Sequence, residues 1–136
     1  MRRKALATLA LTALLALGCA PLETVPEPAP WVLDTLYFGA QQADGTAVDA
    51  EKWEGFLDQA VTPRFPEGLT HWKAQGQWKD DEAEDKVGKE GTWVLQIAHP
   101  RDEDADTRLQ ELIEAYKTQF KQKSVLRLRS AVEPAF

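Results

Sequence analysis

Chemically versatile side chains are scarce in this 136-residue chain, which has one cysteine, Cys19, two histidines, His71 and His99, and two tyrosines. A lone cysteine closes no disulfide within the chain, so the fold must be held by its core alone. Two histidines far apart in sequence, with no second histidine or cysteine at ligand spacing, do not make a metal site. Nor is there a glycine-rich phosphate loop, a Ser-His-Asp arrangement or a His-Glu helical motif, and no cofactor is expected. Positive charge is short as well, with 16 basic residues against 22 acidic ones and a net charge of −6. Such a surface repels phosphate backbones and anionic headgroups, which makes nucleic acid a poor partner.

Long apolar runs are also missing, save for Ala5 to Leu17, which is too short to span a bilayer. That run follows Arg2, Arg3 and Lys4 and leads into Leu15-Ala16-Leu17-Gly18-Cys19. The pattern predicts a bacterial lipoprotein signal peptide over residues 1–18, with Cys19 acylated by diacylglycerol and palmitate-like chains. Four prolines between Ala20 and Pro30 predict an extended tether over residues 19–30. At about 3.1 Å per residue it would hold the domain roughly 30 Å from its anchor. Membrane contact is then expected through the lipid on Cys19 alone. Ala20, where an aspartate often retains lipoproteins in the inner membrane, points to the outer membrane of the cell envelope, facing the periplasm. Without residues 1–18 the chain keeps 118 residues, and 13 basic residues against 22 acidic ones leave a balance of −9. That length is a single domain, residues 31–136, able to bury roughly two-thirds of its unfolded surface.

Periodicity places six elements in that domain. Trp31 to Gln41 is a short aromatic-rich strand. Asp49 is a helix N-cap, with Val48 and Trp53 placed to form a hydrophobic staple, and Trp53, Phe56, Leu57, Ala60 and Val61 fall on one helical face. Pro63 and Pro66 end that helix. Glu67-Gly68 turns the chain into an alternating strand from Leu69 to Trp78, and Lys79 to Gly91 reads as a charged, solvated connection. Thr92 to His99 is continuously apolar enough to be a central strand, stopped by Pro100. Arg101 to Lys123 is a second helix with Ala105, Leu109, Leu112, Ile113, Tyr116 and Phe120 on one face, acids at its start and lysines at its end. Ser124 to Ser130 is the last strand. The order strand, helix, strand, strand, helix, strand predicts an α+β, ferredoxin-like βαββαβ fold, a four-stranded antiparallel sheet with two helices on one face.

Four stretches carry a family likeness: LYFG at Leu36 to Gly39, VTPRFPEGLT at Val61 to Thr70, GQW at Gly76 to Trp78, and YKTQFKQKSVL at Tyr116 to Leu126. Together they resemble the bacterial family of domains of unknown function 3574, over roughly residues 33 to 136. The resemblance implies an exported protein, commonly a lipoprotein, and brings no established activity with it.

Two places could carry function. Arg64, held between Pro63 and Pro66, is preorganised for a carboxylate or phosphate. It can equally cap the last carbonyls of the first helix or join an internal salt bridge. The second place is the sheet face that the helices leave open. If Trp72 and Leu126 point toward the helices, then His71, Lys73, Gln75, Arg127 and Arg129 occupy the open face, with Tyr37 and Gln96. The five tryptophans are expected mostly in the core. An open antiparallel face can simply be solvated, can pair with a second copy in a homodimer, or can enclose a small ligand as in dimeric α+β barrel enzymes, which use a histidine or tyrosine without a cofactor. The ligand-binding candidates are therefore Tyr37, Arg64, His71 and Gln75. With no general acid and base to pair, the chain reads as a non-enzymatic binding or interaction module. The alternative is a small cofactor-free enzyme or ligand sensor in the periplasm.

Overall fold

The computed structural model describes residues 31–42, 44–80 and 86–135. The signal peptide, Cys19 and the tether read from the sequence lie outside the described residues.

Strand β1, Trp31–Gly39, alternates half-buried and buried residues, as a strand with one face on a core should. Asp49 caps helix α1, Ala50–Phe56, by accepting a hydrogen bond from the Lys52 N–H. The helix widens into a π-helical turn, Leu57–Val61, in which the Thr62 N–H reaches back to the Leu57 carbonyl at 2.8 Å. Pro63 has no N–H with which to prolong it. Gly68, at φ 137°, takes a conformation that L side chains rarely adopt and turns the chain into strand β2, Thr70–Asp80. Strand β3, Lys86–Pro100, returns antiparallel to it. Asp102 caps helix α2, Glu103–Gln119, and strand β4, Leu126–Val132, completes the chain.

The sheet order is β2-β3-β1-β4, with every neighbouring pair antiparallel. The fold is α+β and ferredoxin-like, with β1 and β3 central. Both helices pack on the face of the sheet that carries Leu36, Phe38, Trp93, Leu95 and Ile97. Trp53 and Phe56 of α1 and Leu109, Leu112 and Tyr116 of α2 fill the layer between, all essentially inaccessible to solvent. Trp53 lies parallel to Trp93 at 5.3 Å between ring centroids, and Phe38 sits 4.6 Å from Tyr116. Such aromatic pairs add to the burial of their area.

The charged stretch read as a solvated connection is in large part strand, since β2 runs to Asp80 and β3 starts at Lys86. Beyond the Gly39–Thr92 pair that ends β1, this hairpin continues as a two-stranded arm.

The faces of β2 and β4 are the reverse of the sequence expectation. Residues opposite one another in an antiparallel pair share a face. His71 pairs with Leu95 and Lys73 with Trp93, both in the core layer, so His71, Lys73 and Gln75 lie on the helix side. Arg127 pairs with Leu36 and Arg129 with Asp34, again on the helix side. Trp72, Val94, Tyr37 and Leu126 form one row across the opposite, open face. Alternation separates the two faces of a strand, but it does not say which of them meets the helices. Polar residues are accepted on the helix side because partners wait there: the Trp53 Nε1–H donates to His71 Nδ1 at 3.2 Å, and Lys73 lies over the Trp93 ring. Of the five tryptophans only Trp53 and Trp93 are buried.

Candidate functional site

The four residues singled out by sequence do not converge. Tyr37 lies on the open face, and His71 and Gln75 lie on the other side of the sheet. Arg64 sits on the loop after α1, where its Nη1–H donates to the Ala60 carbonyl at 2.9 Å and its Nε–H to Glu111 at 3.4 Å. It thereby satisfies an end carbonyl of the first helix and clips that end to α2.

An ion cluster that sequence reasoning missed lies between the sheet and the start of α2. Asp34, on the core face of β1 with Val32, Leu36 and Phe38, is fully buried. Its Oδ1 accepts from Arg127 Nε at 2.8 Å and Arg129 Nε at 3.1 Å, and its Oδ2 accepts from Arg129 Nη2 at 2.8 Å and Arg127 Nη2 at 3.1 Å. His99 Nε2 lies 2.8 Å from the same Oδ2, while its Nδ1 faces the Pro100 carbonyl at 2.7 Å. Asp106 of α2 bridges both guanidinium groups from the other side.

Burial alone would raise the pKa of Asp34, but hydrogen bonds from Arg127, Arg129 and His99 hold it well below the ordinary carboxylate range. Asp106 is lowered to about 2 by hydrogen bonds from Arg129 and then Arg127. The guanidinium groups of Arg127 and Arg129 are raised in turn, chiefly by Asp34. Two carboxylates face two guanidinium groups, and both ring nitrogens of His99 lie against acceptors. The geometry of the cluster ties β4 and α2 to the centre of the sheet. Among the described residues no group of three His, Cys, Asp or Glu side chains is arranged to hold a metal. The signal that could have found the cluster is Asp34 itself, a carboxylate on the dry parity of an apolar strand, which must meet cations when buried.

The open face is the contrasting surface. Where the four strands lie side by side it carries Trp31, Leu33, Thr35 and Tyr37 from β1, Gln96 and the buried Val94 from β3, Thr70 and Trp72 from β2, and Leu126 and Leu128 from β4. None of these is charged, in a chain of which 28% is charged. Trp72 is 41% exposed, Leu128 50% and Leu126 56%. Gln96 donates to the Thr35 hydroxyl at 3.2 Å, so even the polar pair at its centre is bonded within the face.

No curated protein matches the chain. Among solved structures it resembles a phage SAM lyase in complex with S-methyl-5'-thioadenosine, at 15% identity and a TM-score of 0.57, over 76% of this chain and 82% of that one. It also resembles CutA from Synechococcus elongatus, at 13% identity and a TM-score of 0.52, over 82% of this chain and 84% of that one. At such identity the likeness shows the fold alone. The family model described as protein of unknown function (DUF3574) matches residues 33–136, and the chain belongs to that family.

Proposed function

We propose that this chain is an exported, lipid-anchored interaction module of the bacterial cell envelope that works through its open sheet face, and that the partner on that face is a second copy of the same chain. The observation that carries the reading is the uncharged, tryptophan- and leucine-bearing face on an otherwise acidic protein. Monomers rarely expose a contiguous apolar patch of more than a few hundred Å². Four strands about 4.8 Å apart and about eight residues long give a flat footprint of about 500 Å², and the two-stranded arm adds about 200 Å². Together these approach the roughly 800 Å² per partner of a standard stable interface. The four-stranded part of the face carries no charge, so two copies of an acidic chain can meet there without opposing like charges, while the arm brings Glu90, paired opposite Gly76, to its edge. A two-fold contact asks for no second surface.

The anchor in this reading is Cys19, whose acyl chains would hold the module at the membrane while the tether lets two copies meet. Light scattering tests the assembly: the wild type should have twice the mass of one chain, and Leu128→Glu, which places a carboxylate at the exposed centre of β4, should have the mass of one. A monomeric wild type, or a dimer indifferent to Leu128→Glu, contradicts the proposal, and co-purification of a different protein released by Leu128→Glu would replace the second copy with that partner.

A further inference from the structure

We propose that the cleft between the β2–β3 arm and the loop after α2 binds a small aromatic anion. The cleft has a volume of about 500 Å³, and Tyr37, Trp78, Glu90, Lys121, Lys123 and Leu126 are among the residues that line it. That size suits a compound of one or two fused rings with a polar group. Trp78 is half exposed, and its indole lies against Gly88 across the hairpin, where a Cβ would overlap the ring. The ring is therefore held in place as a wall of the cleft. The Tyr37 hydroxyl has no hydrogen-bond partner among the described residues.

Charge decides the sign of the ligand. Neither Lys121 nor Lys123 forms an ion pair among the described residues; Asp44 feels the charge of Lys121, but its Oδ1 already accepts from the Thr46 N–H. Glu90, the opposing carboxylate, accepts from the Gln41 N–H at 3.3 Å. The cleft thus offers two available ammonium groups beside two aromatic rings, on a protein that is acidic elsewhere.

Lys121 carries the second observation. Helix α2 closes with the Gln122 N–H bonded to the Lys117 carbonyl at 3.0 Å, the closing bond of a Schellman turn. Lys121 occupies the left-handed position of that turn at φ 53°, the one non-glycine residue with positive φ among the described residues. Glycine is the unstrained choice there, and a lysine in its place costs backbone energy without a bond of its own to offset it. Strained residues cluster at ligand-binding sites, and this one falls at a residue that lines the cleft.

The proposal goes beyond the reading of the open face but shares Tyr37 and Leu126 with it, so a second copy and the ligand compete for the cleft, and Leu128→Glu, which lies outside the cleft, distinguishes the two. Full-length protein is titrated by calorimetry with 2-naphthyl phosphate, and with 2-naphthol and inorganic phosphate alone. 2-Naphthyl phosphate should bind more tightly than either fragment. Lys121→Gly should raise Tm, because it relieves the turn, and yet weaken 2-naphthyl phosphate about tenfold or more; Lys123→Ala should weaken it without changing Tm. Leu128→Glu, outside the cleft, should keep the binding, and should tighten it where a second copy had covered Tyr37 and Leu126. Absence of saturable binding at millimolar 2-naphthyl phosphate, equal binding of 2-naphthol, or affinity unchanged by Lys121→Gly would overturn the assignment.

Discussion

Replacing Asp34 by asparagine keeps the shape of the side chain and removes its charge, leaving Arg127, Arg129 and His99 around a neutral amide. Breaking a buried pair from one side is far more costly than the pair is worth, because it strands the partner charges. Asp106 still reaches both arginines, so Asp34→Asn should lower stability by about 3 kcal/mol, read from urea unfolding at neutral pH. The same cluster fixes the response to acid. Asp34 and Asp106 are both held below their ordinary values in the folded state, so each binds its proton more weakly when folded than when unfolded. Their stabilisation is complete above the ordinary carboxylate range of about pH 4 and is lost as pH falls toward the folded values. Urea midpoints measured from pH 7 down to pH 2.5 should fall steeply below about pH 4 in the wild type and more gently in Asp34→Asn. Parallel curves would mean that the acid response resides in other carboxylates.

At the scale of elements, α1 is fixed to the sheet by Trp53 and Phe56, which touch Phe38, Trp93 and Tyr116 in one aromatic layer. Trp53→Ala should cost about 3 to 5 kcal/mol, and a Tm that moves by only a few degrees would contradict that placement. Arg64→Ala removes one partly buried bond to the Ala60 carbonyl and an exposed contact with Glu111, so its cost should be only about 1 kcal/mol by thermal unfolding. Both helices were legible in sequence, from the cap Asp49 of the first, the acids at the start of the second and the buried face of each, because a helical stripe has one apolar side and that side meets the core. The order of the elements along the chain and the central place of β3 were legible too. What could not be read was the sense of β2 and β4, whose apolar sides, bearing Trp72 and Leu128, turn away from the helices. A one-residue choice of face exchanges every side chain of a strand, and only pairing with β1 and β3 settles it. Reading that sense the other way also concealed the ion cluster, since Arg127 and Arg129 meet Asp34 only on the helix side.

At the scale of the whole molecule, the proposed anchor on Cys19 and the proposed pairing through the open face call for separate tests. Cys19→Ser should move the protein from the membrane fraction to the soluble envelope fraction, and recovery in washed membranes would remove the anchor from the account. The central claim, that the open face is covered in the working protein, is tested most directly by hydroxyl-radical footprinting over a dilution series. Oxidation of Trp72, Leu126 and Leu128 should fall together as concentration rises, while that of Val87, exposed on the opposite side of the arm, stays constant. Oxidation of the three face residues that is independent of concentration, and matches their exposure in the single chain, would contradict it.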